Sequence, residues 1–331
     1  MAVDVTTYAE SIADATERAL TSDPHAVVLG VGVTDEKGIF GTTRSARLAY
    51  PDRVIETPLS ENMLTGALMG LIHANKKPML VHARADFTTL SAEHLINTLA
   101  KWPFMSGNPL YPVPAAVRAI IGQGFGQGPQ HSQSLAHMFA GVPGLDVFMP
   151  YDVPTAAQAV RDWPSARKPR VIIEHRRLYG DDFVFDPRYE PDADTPDVTL
   201  VAVSAAVQDA CLAADILISK GCDARVVPWY NVADPAELRG LLDGPTGATL
   251  FVDVAPAPGV ISSALSWLVS QVNQVGRIAR LTPPSYPCPT SFALEQGWYL
   301  TPQHIAHAAG KMIDVNIPQV DSAVFQTGES F

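Results

Sequence analysis

The segment Ala115–Gly128 (AAVRAIIGQGFGQG) joins a strand-length apolar run to a glycine-rich loop. A continuous apolar run of this length is typical of a strand that a parallel sheet buries on both faces. The loop contains four glycines at alternating positions, and a helix is predicted to begin after it, near Ser132. This order of strand, loop and helix is the repeating unit of parallel α/β sheets.

Strand-length apolar runs alternate with helix-length amphipathic stretches on both sides of this segment. Thr7 and Glu10 fit a capping box at the first predicted helix, and Ser60 is expected to cap a helix that runs to Ala74. The other predicted helices are Tyr8–Leu20, Thr88–Lys101 and Thr155–Asp162. The predicted strands are Ala26–Val31, Arg53–Thr57, Pro78–His82, Ala115–Ile121, Asp146–Met149 and Arg170–Glu174.

The acidic, proline-rich segment Asp186–Asp197 has no periodic pattern and is predicted to link two domains. The alternation then resumes with predicted strands at Thr199–Val203, Ala224–Val227, Thr249–Val254 and Arg277–Leu281. Predicted helices lie at Ala205–Lys220, Pro235–Leu242, Gly259–Gln271 and Pro302–Met312. We therefore predict an α/β protein of two doubly wound domains. The first has a parallel sheet and covers residues 1–188, the second is smaller and covers 198–315, and 316–331 form a tail.

Composition excludes several classes of function. The chain has 331 residues, of which 47% are hydrophobic and 17% charged, with a net charge of −11. An acidic chain without a basic run is a poor candidate for binding nucleic acid or an anionic membrane. No stretch approaches the roughly 18 apolar residues of a membrane span, and the N-terminus lacks the layout of a signal peptide. The three cysteines contain no C-x-x-C pair, so we expect a reduced, cytoplasmic protein.

The glycine-rich loop does not fit a dinucleotide fingerprint. The pattern G-x-G-x-x-G fails in both registers, because Gln127 and Pro129 stand where the third glycine is needed. Glycines here are better explained by close approach to a ligand or another chain, or by a plain connector. His131 at the end of the loop could transfer a proton near neutral pH, or simply close the loop by hydrogen bonding. No group of residues has metal-ligand spacing, so we predict no metal ligand in this chain.

Polar residues follow two other predicted strands. Glu61 falls in the first turn of a helix, where the helix dipole stabilises a carboxylate, but it could also face a ligand at the sheet edge. Arg84, Asp86 and Phe87 follow the strand Pro78–His82. Without a further signal, Phe87 could be a core residue and Arg84 could pair with Asp86.

Six motifs occur in a fixed order along the chain: VIETPLSE (Val54–Glu61), DF (Asp86–Phe87), AKWPFMSG (Ala100–Gly107), QHSQS (Gln130–Ser134), VPGLDV (Val142–Val147) and IEHRRLYG (Ile173–Gly180). Together they resemble one family, the beta subunits of the decarboxylating component of thiamine-diphosphate-dependent 2-oxo acid dehydrogenases. Transketolases are more distant relatives in the same superfamily. The resemblance covers nearly the whole chain and is thinner after the linker.

The resemblance implies roles for three of these residues. Glu61 matches the glutamate that hydrogen-bonds a ring nitrogen of the aminopyrimidine of thiamine diphosphate. Phe87 matches the aromatic residue that stacks on this ring. His131 matches the active-site histidine, which is expected to assist proton transfer or acyl transfer. The resemblance also implies that the first domain is a pyrimidine-binding domain and the second a transketolase-like C-terminal domain.

A motif that the superfamily uses to hold the cofactor's diphosphate and Mg²⁺ is missing. No Gly-Asp-Gly occurs in the sequence. The chain is therefore expected to supply the pyrimidine half of the active site, with the diphosphate and metal held by a separate alpha subunit. The resemblance implies an assembly of two alpha and two beta chains.

The residues after the strand Pro78–His82 depart from the family pattern. Many pyruvate-type members carry a glutamate and apolar residues where Val81 and His82 stand. His82 and Arg84 are expected close to the reactive end of the cofactor, where a cation suits an anionic or polyol substrate. We hypothesise that the donor is a phosphorylated ketose or an unusual 2-oxo acid. An Arg84–Asp86 salt bridge is the alternative explanation.

Three functions remain open at the level of sequence. The first is a dehydrogenase beta subunit whose complex passes the acyl unit to a lipoyl-bearing acyltransferase. The second is a split transketolase that moves a ketol unit to a sugar or a carrier protein. The third is a scaffold without catalytic residues, which the presence of Glu61, Phe87 and His131 argues against.

Overall fold

The computed structural model describes residues 6–123, 126–190, 196–241, 247–262, 264–265 and 277–319. These residues form two compact units. The first comprises the described residues within Met1–Gly122, Ser134–Val184 and Asn231–Asp234. The second comprises those within Gln123–Gln133, Phe185–Tyr230 and Pro235–Phe331. The described loop residues Gln123 and Gly126–Gly128 thus belong to the second unit, whereas Gly122 and the strand that precedes it belong to the first.

The first unit contains a six-stranded sheet in the order β2-β1-β3-β4-β6-β5, and every pairing is parallel. Four of its strands, β1, β3, β4 and β6, are almost fully buried, as their continuous apolar runs predict, whereas the edge strand β2 exposes Ile55 and Glu56. The parallel α/β fold is confirmed. The strands are β1 (Ala26–Gly30), β2 (Val54–Glu56), β3 (Lys77–His82), β4 (Ala116–Ile121), β5 (Asp146–Phe148) and β6 (Arg170–His175).

Helices and helical turns connect these strands. The helices are α1 (Tyr8–Ser22), α2 (Arg44–Ala49), α3 (Glu61–His73), α4 (Thr88–Glu93), α5 (Trp102–Met105), α6 (Ala136–Ala140) and α7 (Val153–Arg161). The predicted capping box of α1 is confirmed, since Thr7 Oγ1 accepts from the Glu10 N–H and Glu10 Oε2 accepts from the Thr7 N–H. The predicted Ser60 cap is wrong, because its side chain makes no capping hydrogen bond. Helix α6 also begins later than Ser132.

A buried ion pair joins two central strands of this sheet. Arg118 on β4 donates from Nε and one terminal nitrogen to Glu174 on β6, over 2.5 and 2.9 Å, and both side chains are fully buried. The hydroxyl of Tyr179 donates to the same carboxylate over 2.7 Å. The ring of Tyr8 stacks on Tyr179, with ring centroids 5.9 Å apart. Residues of β4, of the chain after β6 and of α1 therefore hold this ion pair in place.

The second unit contains a smaller parallel sheet in the order β10-β9-β7-β8. The chain passes from the first unit into the second between Val184 and Phe185, just before the predicted linker. Its strands are β7 (Val198–Val203), β8 (Ala224–Trp229), β9 (Ala248–Val252) and β10 (Ile278–Leu281). Its described helices include α8 (Ala206–Ile218), α9 (Phe292–Trp298) and α10 (Pro302–Met312).

Parts of the predicted helix Gly259–Gln271 and of the predicted tail lie outside the described residues. Within the described part of the chain, no helix has the length and apolar character needed to cross a membrane. The same residues contain no group of three or more His, Cys, Asp or Glu side chains placed to hold a metal ion.

Candidate functional site

A cavity of about 110 Å³ lies at the carboxyl edge of the first sheet, where β1 and β3 end and α3 begins. This is the edge at which parallel α/β sheets bind ligands. Glu61, His82, Arg84 and Phe87 line the cavity, so the structure brings together four of the five predicted site residues. Its apolar wall includes Val31, Leu59, Leu64 and Leu80. A cavity of this size is comparable with those that hold one small ring.

Glu61 is the first residue of α3 and is partly exposed. The Thr65 hydroxyl donates to its main-chain carbonyl over 2.7 Å, which secures the first turn of the helix. Its carboxylate accepts no hydrogen bond from the described residues. The first-turn position favours a negative charge through the helix dipole. A carboxylate so placed at the cavity wall can hydrogen-bond a ligand without breaking a contact in the chain.

Phe87 ends a 3₁₀ turn (Ala85–Phe87) that directly follows β3 and Arg84. It is 36% exposed, which is high for a phenylalanine and excludes a simple core role. Because Phe87 lines the same cavity as Glu61, one wall offers a flat apolar face and another a hydrogen-bonding carboxylate. That combination suits a planar heterocyclic ring.

His82 is the last residue of β3 and is 94% buried, with its Nε2 atom 3.0 Å from Ser91 Oγ. Burial lowers the pKa of His82 to about 4, so the ring is neutral at neutral pH. The Ser91 hydroxyl lies 2.7 Å from that of Thr65, which in turn bonds the carbonyl of Glu61. His82 therefore acts as a neutral hydrogen-bonding group, and of the two residues predicted to supply a cation, Arg84 is the charged one.

The residue Arg84 is 9% exposed. It donates one long hydrogen bond, 3.4 Å, to the carbonyl of Ala83, and it forms no salt bridge with a described residue. The Arg84–Asp86 salt bridge considered as an alternative is therefore absent between these two described residues. Burial lowers the pKa of Arg84, while the charge of Asp86 acts in the opposite direction.

His131 does not line the cavity among the described residues, and it belongs to the second unit. Its N–H donates to the Gly128 carbonyl over 3.3 Å. The loop around it is held by the second unit, where the Gly126 N–H donates to Glu295 Oε2 over 2.7 Å. The structure thus places Glu61, Phe87, His82 and Arg84 at one site and His131 on a separately anchored loop.

Sequence reasoning missed the residues that support these groups. Ser91 and Thr65 carry no motif, and they sit on α4 and α3 at positions that a helical pattern assigns to the buried face. Glu295 is 99% buried in α9, a helix that was not predicted. A glutamate at a buried helical position is a signal for a specific partner, but the partner cannot be read from the sequence.

Comparison with known proteins identifies both units. The model "Transketolase, pyrimidine binding domain" matches residues 4–181, and the model "Transketolase, C-terminal domain" matches residues 188–305. The beta subunit of acetoin:2,6-dichlorophenolindophenol oxidoreductase from Cupriavidus necator is 30% identical over 91% of this chain and 95% of its own length. The beta subunit of 2-oxoisovalerate dehydrogenase from Bacillus subtilis is 28% identical over 94% of this chain and 100% of its own.

Two further comparisons cover a pyruvate dehydrogenase and a solved structure. Subunit beta-2 of the mitochondrial pyruvate dehydrogenase E1 component from Oryza sativa is 30% identical, over 68% of this chain and 63% of its own length. A solved structure described as a split gene transketolase, an inactive beta4 tetramer, superposes with a TM-score of 0.71 at 22% identity, over 93% of this chain and 99% of that one. At that identity the superposition establishes the fold.

The family models and the relatives agree with the motifs quoted from the sequence, and the predicted resemblance is confirmed. The chain belongs to the transketolase-like family of thiamine-diphosphate-dependent enzymes, and its relatives are beta subunits of the E1 component of 2-oxo acid dehydrogenases.

Proposed function

We propose that this chain is the beta subunit of a thiamine-diphosphate-dependent 2-oxo acid dehydrogenase and supplies the pyrimidine half of its active site. The observation that carries the proposal is the placement of Glu61 and Phe87 on one cavity in the unit that matches the pyrimidine-binding domain. The three relatives named above are beta subunits of dehydrogenases or an oxidoreductase. They favour this function over a split transketolase.

The residues of the cavity fit the ring end of the cofactor. Thiamine diphosphate, when bound, supplies the carbon nucleophile that adds to the donor's carbonyl and accepts the electrons released with carbon dioxide. Glu61 would hold a proton between its carboxylate and a ring nitrogen, which tunes the basicity of the ring. Phe87 would fix the plane of the ring by stacking, and the apolar wall would exclude water. His131 would move a proton at the donor or at the acyl group.

The diphosphate end of the cofactor has no counterpart in the described part of this chain. Mg²⁺ needs several oxygen ligands in octahedral geometry, and the described residues hold no acidic cluster that could provide them. We therefore propose that an alpha subunit binds the diphosphate and Mg²⁺, in an assembly of two alpha and two beta chains. His82 and Arg84 would contact the donor, and the acceptor would be a lipoyl-bearing acyltransferase or a carrier protein. We expect the complex in the cytoplasm.

The test is to co-express the chain with an alpha subunit and to measure carbon dioxide release from a panel of 2-oxo acids with an artificial electron acceptor. A Glu61→Gln complex should lose about 100-fold or more in kcat, because removing one tuned acid–base group costs this much. The matched control is Glu36→Gln, an exposed position in the same unit, which should keep the wild-type rate.

Other outcomes would contradict the proposal in different ways. Wild-type turnover by the Glu61→Gln complex would indicate a scaffold without a catalytic role. Ketol transfer from a ketose phosphate, without carbon dioxide release from any 2-oxo acid, would indicate a split transketolase.

A further inference from the structure

Three buried polar side chains form a chain of hydrogen bonds that begins at the cavity. His82 lines the cavity, while Ser91 and Thr65, both fully buried, are not among its described lining residues. His82 Nε2 lies 3.0 Å from Ser91 Oγ, and Ser91 Oγ lies 2.7 Å from Thr65 Oγ1. Thr65 Oγ1 in turn lies 2.7 Å from the main-chain carbonyl oxygen of Glu61. A ligand-facing histidine is thus connected to the first turn of α3.

The protons available to these groups determine the direction of the chain. A carbonyl oxygen can only accept, so the 2.7 Å contact with Glu61 requires the one hydroxyl proton of Thr65. The 2.7 Å contact between the two hydroxyl oxygens then requires the proton of Ser91, because oxygens this close repel each other without one. The other acceptor for that proton, the Glu61 carbonyl, is 3.5 Å away and is the poorer choice. The proton in the 3.0 Å contact must therefore come from His82 Nε2.

The His82 ring has one proton to place at neutral pH. Burial lowers its pKa to about 4, so only one of its two ring nitrogens is protonated. With that proton on Nε2, the Nδ1 atom keeps its lone pair and can only accept a hydrogen bond. Nδ1 makes no hydrogen bond with the described residues. A polar atom in a residue only 6% exposed normally has a partner, and the cavity is where a ligand can supply it.

We propose that Ser91 and Thr65 are positioning residues that hold the His82 proton on Nε2, so that Nδ1 accepts a hydrogen bond from an N–H or O–H group of the bound ligand. The inference rests on the proposed function, which offers two sources of such a group: the amino group of the cofactor's pyrimidine ring and a hydroxyl group on the 2-oxo acid donor. A carboxylate oxygen has no proton to offer and would be disfavoured at Nδ1.

Nitrogen-15 solid-state NMR of the reconstituted alpha–beta complex reads the tautomer directly, because protonated and unprotonated ring nitrogens differ widely in chemical shift. Histidine is labelled in this chain only, and subtraction of the spectrum of a His82→Gln complex isolates the His82 signals. We expect a protonated Nε2 and an unprotonated Nδ1 in the wild type. Thr65→Val removes the acceptor of the Ser91 proton and frees that proton for Nε2, so the ring proton should move to Nδ1.

Three further variants separate this role from damage to α3. Thr65→Ser keeps the hydroxyl and should show the wild-type tautomer. Thr16→Val is the matched control, because Thr16 is also fully buried and donates over 2.7 Å to the carbonyl of Ile12, but in α1. It should leave the tautomer and the turnover unchanged. Ser91→Ala removes the middle hydroxyl and should give a mixture of both His82 tautomers, which keeps the test decisive should Thr65→Val fail to fold.

Two measurements on the complex distinguish the sources of the ligand's hydrogen-bond donor. Binding of thiamine diphosphate with Mg²⁺ that is about 10-fold or more weaker to Thr65→Val, by calorimetric titration, would identify the cofactor's amino group. A fall in kcat/KM of about 10-fold or more for 3-hydroxypyruvate, with less than about 3-fold for 2-oxobutanoate, would identify a hydroxyl of the substrate, because 2-oxobutanoate carries a methyl group in its place. Thr65→Ser should restore the wild-type value in either measurement.

A protonated Nδ1 in the wild type would overturn the inference, and so would the wild-type tautomer in both Thr65→Val and Ser91→Ala. Unchanged cofactor binding together with equal effects on the two substrates would overturn the role of Nδ1 toward a ligand. Failure of every 2-oxo acid to release carbon dioxide would count against the proposed function itself, while the NMR spectra and the cofactor titration would still report on His82.

Discussion

The main-chain N–H of Gly126 donates a 2.7 Å hydrogen bond to the buried carboxylate of Glu295. This bond ties the loop that carries His131 to α9, within the second unit. Thr290 packs on the same loop, and a Cβ placed on Gly126 would lie 2.6 Å from the Thr290 carbonyl oxygen. The position of His131 therefore depends on residues more than 150 positions further along the chain.

Replacing Glu295 with alanine should destabilise the second unit by about 1–3 kcal/mol, because it leaves the partly buried N–H of Gly126 without this acceptor. Urea unfolding of the isolated chain measures the effect. Glu295→Gln retains a carbonyl acceptor and should cost less, and Gln296→Ala, at the exposed neighbouring position, should cost little. Equal stability of wild type and Glu295→Ala would show that this bond does not hold the loop.

The buried Arg118–Glu174 pair should be costly to break from one side. Glu174→Ala removes the carboxylate that neutralises Arg118 and should lower the free energy of unfolding by about 3–5 kcal/mol. Asp162→Ala, which breaks the exposed Arg161–Asp162 pair of the same unit, should cost less than about 1 kcal/mol. Denaturant unfolding of both variants measures the two effects. Similar losses in the free energy of unfolding would contradict the difference in burial between the two ion pairs.

Two buried histidines should make the first unit sensitive to acid. Burial lowers the pKa of His82 to about 4, and burial together with the Arg177 charge lowers that of His175 to about 3. In the unfolded chain both rings bind a proton near pH 6.5, but in the folded chain they do not. Stability present above about pH 6.5 is therefore lost as the pH falls, by roughly 2 kcal/mol per histidine at pH 5.

Urea unfolding between about pH 7.5 and pH 5 measures this linkage. His82→Gln should lose less stability over this interval than the wild type, while His73→Gln, at an exposed position of α3, should show the wild-type dependence. A wild-type slope in His82→Gln would mean that His82 is not held neutral in the folded chain.

Gly122 is required by the close approach of a histidine ring. Its φ angle is +100°, and a Cβ at this position would lie 2.5 Å from Cε1 of the buried His175. Gly122→Ala should lower the free energy of unfolding by about 2 kcal/mol or more, through overlap and backbone strain. Gly70→Ala in α3 meets open space and should be neutral or stabilising by up to about 1 kcal/mol. Thermal unfolding of both variants tests the pair, and a wild-type Tm for Gly122→Ala would refute the contact.

The sheets could be predicted from the sequence because buried parallel strands read as continuous apolar runs. Predicted strands such as Ala115–Ile121 differ from the observed ones by one or two residues. Helix α9 escaped prediction because Phe292 and Leu294 are exposed while Glu295 is buried, which inverts the pattern of an amphipathic helix. The predicted helix Thr88–Lys101 divides into α4 and a π-helical turn, His94–Leu99, and its sequence carries no glycine or proline that would signal the change.

The site residues that belong to sequence motifs could be predicted. The contacts that surround them in the folded chain could not. Glu61 and Phe87 share a cavity because the ends of neighbouring parallel strands meet at one edge. The neutral state of His82 depends on its burial, which a sequence pattern does not encode.

The most direct test of the half-site account is calorimetric titration of thiamine diphosphate with Mg²⁺ into this chain alone and into its complex with an alpha subunit. The account predicts binding to the isolated chain that is about 100-fold or more weaker than to the complex, because the charged end of the cofactor would find no ligands. Equal affinity of the isolated chain and the complex would contradict it.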